Sequence, residues 1–228
     1  MVTKSRKTPE NAAPAKDPQA PQHWRDAGSR DERGRLIREA LFKAAAEIVG
    51  NIGYQNTSIT MITQRAKVAQ GTFYNHFASR QDILDQLLPS LGNDMLSHVR
   101  ECSQKGVTLL EQEELRFRGF FSFLKETPHF FRILNEAESF APQAYRTHLD
   151  LVSEGYVRVL KRAAARGEIK DFKGRELEAI AFILMAARAY LSWRYVYGEE
   201  IHEEVPEWVV STYVKLVASW LSSEKPQG

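Results

Sequence analysis

The chain holds a single cysteine, Cys102, among 228 residues. An intramolecular disulfide and a cysteine-rich metal site are therefore excluded, and a reducing cytosol is the expected setting. The N-terminus lacks the apolar core of a secretory signal. The longest apolar run, around Ile180–Leu191, is interrupted by Arg188 and is too short to span a bilayer. A cytoplasmic protein with no membrane partner is expected. Sustained two-residue alternation between turn signals is missing, which argues against hairpins, and no internal repeat is found. There is no His-Glu-x-x-His, no P-loop and no nucleophile elbow. The six histidines (23, 76, 98, 129, 148 and 202) are scattered. His98 and Cys102 stand four apart, but two ligands do not make a metal site. No catalytic residue, metal or cofactor is expected, and an enzyme is the least supported class.

Charge of one sign is not in excess either. With 31 basic and 29 acidic residues the net charge is +2, so an argument for nucleic acid must rest on where the charge sits. One absence is local. From Ile48 to Gln81 there is no acidic residue, while Arg65, Lys67 and Arg80 are present. A surface that meets phosphates needs such a gap, since each carboxylate would repel the backbone.

What is present is helical periodicity. Residues 1–28, rich in Pro, Ala, Lys and Gln, carry none and read as a disordered tail, whose Lys4, Arg6, Lys7 and Arg25 are placed to brush a phosphate backbone. From Arg30 on, Ile37, Leu41, Ala44 or Ala45, and Ile48 repeat at three and four until Gly50 and Gly53. Thr57 or Ser58 then caps a short helix with Ile59, Ile62 and Ala66 on one side. After "KVAQ" a second short helix runs from Gly71 to Phe77, and Ser79 with Asp82 opens the next. Further helices are expected at about 80–104, 109–126, 128–139, 142–166, 174–197 and 206–222. Pro128, Pro142 and Pro206 lie near starts; Gly167, Gly174 and Gly198 lie near ends. The fold class is all-α.

Two short helices joined by a tight turn, the second carrying polar side chains, form a helix-turn-helix pattern whose second helix enters the major groove. Phe73 and Phe77 turn inward and fix its angle. Gln70, Thr72, Tyr74, Asn75 and His76 face DNA, and Gly71 allows close backbone approach. Gln70 and Asn75 suit base edges, while Tyr74 and His76 suit phosphate oxygens.

The stretch "IREALFKAAAEIVGNIGYQNTSITMITQRAKVAQGTFYNHFASRQDIL" resembles the TetR family of bacterial transcription regulators. The cues fall in order: a helix ending at "GY", a Thr-Ser start, "A-x-V" at the turn, "GTFYNHF", then Ser-Arg and an acid. The sequence departs from the family pattern at Lys67, where the turn usually has glycine, at Ala69, where a serine usually caps, and at Thr63, usually alanine. The resemblance implies DNA contacts at Thr72, Tyr74, His76 and Arg80. Residues 29–80 are then a DNA-binding domain, to which Arg65 and Lys67 add positive charge, and 81–224 a ligand-binding and dimerisation domain. It further implies a homodimer on a palindromic double-stranded operator, most often a repressor, with a small-molecule effector in an apolar pocket. Candidate walls are Phe120, Phe121, Phe131, Leu134, Tyr156, Phe182, Met185 and Tyr190. Arg188, a charge in an apolar segment, needs either Glu136 or Glu138 or the acid of a ligand. Hydrophobic or aromatic acids, or acyl-CoA thioesters, are the expected effectors. Trp208, Val209, Tyr213, Leu216 and Trp220 are expected at the dimer interface. Pro89, with Gly92, is expected to kink the helix that links the two domains. The competing reading is an architectural DNA-binding protein with a filled core and no effector.

Overall fold

Hydroxyl side chains ahead of the periodic segments set four of the helix starts. Ser29 accepts from the Glu32 N–H, Ser58 from Met61 and Ser79 from Asp82, and Thr108 forms a reciprocal capping box with Glu111. Each satisfies an amide that the helix itself leaves unpaired. In the computed structural model, which describes residues 27–169, 171–197 and 204–221, these caps open α1 (Arg30–Ile52), α2 (Ile59–Ala66), α4 (Arg80–Ser103) and α5 (Leu109–Glu126). The remaining elements are α3 (Gln70–Tyr74), α6 (Phe130–Phe140), α7 (Pro142–Ala165), α8 (Arg175–Tyr195) and α9 (Glu207–Leu221). Among the described residues there is no strand, and the fold is all-α. The tail expected over 1–28 lies outside the described residues up to position 26, as does Gly198.

Of the two candidate caps, Ser58 is the one used; Thr57 is buried and its hydroxyl donates to the Gly53 carbonyl at 2.8 Å. Lys67 ends α2 in the left-handed region, at φ 56° and ψ 38°, a conformation that costs a non-glycine residue about 1 kcal/mol. Ala69 makes no side-chain cap for α3. Pro89 does not divide α4, which runs through it from Arg80 to Ser103. Leu87, Leu88, Gly92 and Met95 are buried around it, and that packing holds the helix together despite the missing N–H.

Helices α1, α2 and α3 form the N-terminal unit. Helix α4 leaves it and packs on α1, α5, α6 and α7; α8 covers α7, and α9 lies against α5. One hydrophobic cluster runs from Ile37 and Phe73 through Leu88 and Phe130 to Val217, so both halves of the chain share a core. A boundary at 80/81 thus falls in the first turn of α4.

The junction between the halves is built on the C-terminal end of α1. From α6, Arg132 donates to the Asn51 carbonyl at 2.7 Å and to that of Gly50 at 3.3 Å. Glu136 pairs with Arg132 at 2.7 Å and accepts the Tyr54 N–H at 2.8 Å. The approach is close enough that a Cβ on Gly50 would meet His129, and one on Gly53, at φ +85°, would meet Glu136.

Candidate nucleic-acid interface and internal cavity

The angle of α3 is fixed by rings. Phe73 and Phe77 are fully buried, and Phe77 meets Phe42 of α1 edge-on at 5.2 Å. The Arg38 guanidinium sits 4.6 Å over the Phe77 ring, donates to the His76 carbonyl and bonds Gln86 of α4. Arg38 therefore ties the end of α3 to both neighbouring helices, a role with no local sign in the sequence.

On the opposite face, Lys67, Gln70, Gly71, Tyr74 and Asn75 are exposed, while Thr72 and His76 are half-buried. A Cβ added at Gly71 would meet no protein atom within 4 Å. Burial, with the Arg38 charge nearby, lowers the His76 pKa, so its imidazole is neutral at pH 7. Two of the expected cations are engaged within the protein. Arg65 pairs with Glu47 at 2.6 Å, across the start of the acid-free stretch. The Arg80 guanidinium is turned inward onto the carbonyls of Tyr54, Gln55 and Thr57, where it caps the α1–α2 connection rather than facing outward.

The second feature is a cavity of about 340 Å³ lined by α4–α8 and open on one side. Of the residues expected around it, Phe120, Phe131, Leu134, Tyr156, Phe182, Met185 and Arg188 line it. Phe121 does not: its ring packs into the core against Phe117, at 4.9 Å. Tyr190 does not either, since it lies on the outer face of α8 and is 76% exposed. Helix α4 adds Met95, Leu96 and Val99, and α7 adds Tyr145, His148, Leu149 and Val152.

Arg188 has neither of its expected partners. Glu136 is taken by the α1 junction, and Arg188 pairs with Glu113 of α5 at 2.7 Å, with both side chains almost fully buried. Glu113 also accepts the Tyr213 hydroxyl of α9 at 2.5 Å, and Arg188 donates to the Leu184 carbonyl. Burial alone would lower the Arg188 pKa; Glu113 and the neighbouring tyrosines outweigh it and raise the value. Glu113 is hidden in the acidic run "EQEEL", yet it falls on the stripe Leu109–Glu113–Phe117–Phe121–Leu124 that α5 buries. That spacing was the available signal. His148 is buried, and burial pushes its pKa down to about 4, so it is neutral at pH 7.

The residues expected at a dimer interface divide. Val209 and Tyr213 are buried inside the protomer, Tyr213 stacked on Phe117 at 4.2 Å, and so cannot face a second copy. Trp220 is half-buried, while Trp208 and Leu216 are exposed. Helix α8 also exposes Ile183, Tyr190 and Trp193.

Residues 41–87 match the family model for bacterial regulatory proteins of the tetR family. The fatty acid metabolism regulator protein of Bacillus subtilis (strain 168) is 26% identical over 136 residues, covering 58% of this chain and 70% of that protein. Two solved structures share the fold. A TetR-family regulator from Syntrophomonas wolfei superposes with a TM-score of 0.71 at 20% identity, covering 85% of this chain and 99% of the other. The regulator FadR of Bacillus subtilis, in complex with stearoyl-CoA, gives 0.67 at 19%, covering 81% and 97%. The helix-turn-helix segment of this chain is therefore similar to that of the tetR family of bacterial regulatory proteins, and the fold of the chain is the one TetR-family regulators share.

Proposed function

We propose that this chain is a cytoplasmic, homodimeric repressor that binds a near-palindromic double-stranded operator and leaves it when a hydrophobic effector of the acyl-CoA class fills the cavity. The observation that carries the effector half is the cavity itself. About 340 Å³ of space walled by Met, Leu and Phe side chains suits a hydrophobic ligand, and it counts against an architectural protein with a filled core. Arg188, the one lining cation among the described residues, is already neutralised by Glu113, which disfavours a buried carboxylate and so disfavours free aromatic acids. An uncharged acyl tail fits, with an anionic head left outside. The likeness to a regulator solved with stearoyl-CoA supports the same class.

On the DNA side, Gln70 and Asn75 read base edges, and Lys67, Thr72 and Tyr74 hold phosphates. Gly71 needs no room within the protein, so its missing side chain serves whatever approaches from outside. Arg80 is a positioning residue, because its guanidinium is spent on backbone carbonyls. Two copies associate through the exposed faces of α8 and α9, around Ile183, Tyr190, Trp193, Trp208 and Leu216, which sets two recognition helices roughly 34 Å apart.

The test is an operator selected from a random duplex pool, followed by titration of its complex with acyl-CoA thioesters of graded chain length. Release at stoichiometric thioester is expected, and free CoA should have no effect. Retention of the operator at saturating thioester, with binding proven by calorimetry, would refute the repressor reading.

A further inference from the structure

The cavity wall contains one buried polar ring that the fold leaves unsatisfied. His148 of α7 is wedged between Phe130, whose ring lies 5.9 Å away, and Gly92 of α4. A Cβ on Gly92 would come within 2.3 Å of Nδ1 and 2.8 Å of Cε1, so that edge of the imidazole lies flat against the α4 backbone. Nδ1 is buried and has no hydrogen-bond partner among the described residues. The edge left to line the cavity is Nε2–Cδ2.

Other polar groups of the wall are engaged. Arg188 is held by Glu113 and the Leu184 carbonyl. The Ser192 hydroxyl donates to the Ala189 carbonyl at 2.8 Å. Tyr156 lies under the Arg188 guanidinium, 5.1 Å from it. Asn135 sits at the exposed rim.

A neutral imidazole carries one N–H. Against a glycine CH₂, Nδ1 has no acceptor for a proton, so the proton belongs on Nε2, where it is directed at the void. A donor facing an otherwise apolar space is costly unless the occupant accepts from it.

We propose that the buried part of the effector carries a neutral accepting oxygen, a hydroxyl or carbonyl on its chain, received by His148 Nε2–H, and that His148 selects oxygenated chains over plain ones. This rests on the acyl-effector reading above. Calorimetric titration of the full chain with CoA thioesters of one length tests it, using the plain chain and a set bearing a hydroxyl or oxo group at successive carbons. One oxygen position should bind at least tenfold more tightly than the plain chain. His148→Phe should erase that preference while still binding the plain thioester, and His148→Gln, which keeps a donor, should restore part of it. Equal affinity across the set for the unaltered protein, or a preference that survives in His148→Phe, overturns the inference and leaves the acyl reading standing. Binding of no thioester at all overturns both. The comparison within the unaltered protein decides the matter even where a variant does not fold.

Discussion

Removing the Glu113 charge while keeping its shape is the sharpest test of the C-terminal core. In Glu113→Gln the amide oxygen can still accept from Tyr213 and Arg188, but the buried guanidinium loses its counter-charge. At the 2.7 Å separation of the pair, Coulomb's law gives an attraction of about 6 kcal/mol at an effective dielectric of about 20. Part of that offsets the desolvation of two ions, and breaking one side of such a buried pair costs about 3–5 kcal/mol. Against a total stability of about 5–15 kcal/mol this is a large loss, visible as a shifted urea midpoint at unchanged slope. The double variant Glu113→Leu/Arg188→Met removes both ions but leaves the buried Arg116 guanidinium without the carboxylate 3.9 Å away and the Tyr213 hydroxyl without its acceptor, so it should recover only part of the loss. A loss under about 1 kcal/mol in Glu113→Gln, on the scale of an exposed pair, would refute the reasoning and mean that water in the cavity solvates the guanidinium.

His148 predicts a pH dependence. Its folded pKa, about 4, lies below the ordinary 6.5, so the unfolded state binds the proton first and stability falls as pH drops from 6.5 toward 4. The loss amounts to about 3 kcal/mol at 1.36 kcal/mol per unit, and His148→Phe should remove that part of the slope in denaturation series. Tyr74→Ala should weaken binding to all duplexes alike, whereas Asn75→Ala should relax base preference at one position by about 1–3 kcal/mol; unchanged operator affinity in the double variant rules out this docking. Trp193→Glu or Leu216→Glu places a charge on the outer face of α8 or α9, so either should be monomeric at micromolar concentration by sedimentation with helicity intact; a persisting dimer puts the interface elsewhere. Arg132→Ala should shrink the change in operator affinity on adding effector without altering effector affinity, and an unchanged response would show that α6 does not report to α1.

The helix-turn-helix was legible because its signals are local. Caps, glycines and an aromatic pair four apart lie within a few residues of what they determine, and Ser58, Ser79 and Phe73 take the places their spacing predicts. The long helices were legible for the same reason, α5 to the residue. What the sequence hid was pairing across distance. Arg80 shows a charge at a DNA-facing spacing, and nothing nearby reveals that three carbonyls behind it are waiting for a donor. Arg188 announced that it needed a partner, but choosing Glu113 over Glu136 depends on how α5, α6 and α8 assemble. Helix α9 carries apolar residues on several sides, and which side, with Val209 and Tyr213, meets α5 is a matter of packing, not of composition.

The junction at the end of α1 addresses main-chain atoms. Arg132 and Glu136 grip the carbonyls of Gly50 and Asn51 and the amide of Tyr54, and Arg80 grips the carbonyls of Tyr54, Gln55 and Thr57. Every residue offers the same carbonyl, so this seam makes few demands on side chains beyond small residues at Gly50 and Gly53. The DNA-reading surface and the cavity can therefore diverge independently: recognition residues are free to change without unseating the effector domain, and cavity walls without altering the grip on α1. The polar part of the joint is therefore transferable, and a chimera that keeps 50–57 with Arg80, Arg132 and Glu136 retains it where the apolar core shared by both halves is matched as well.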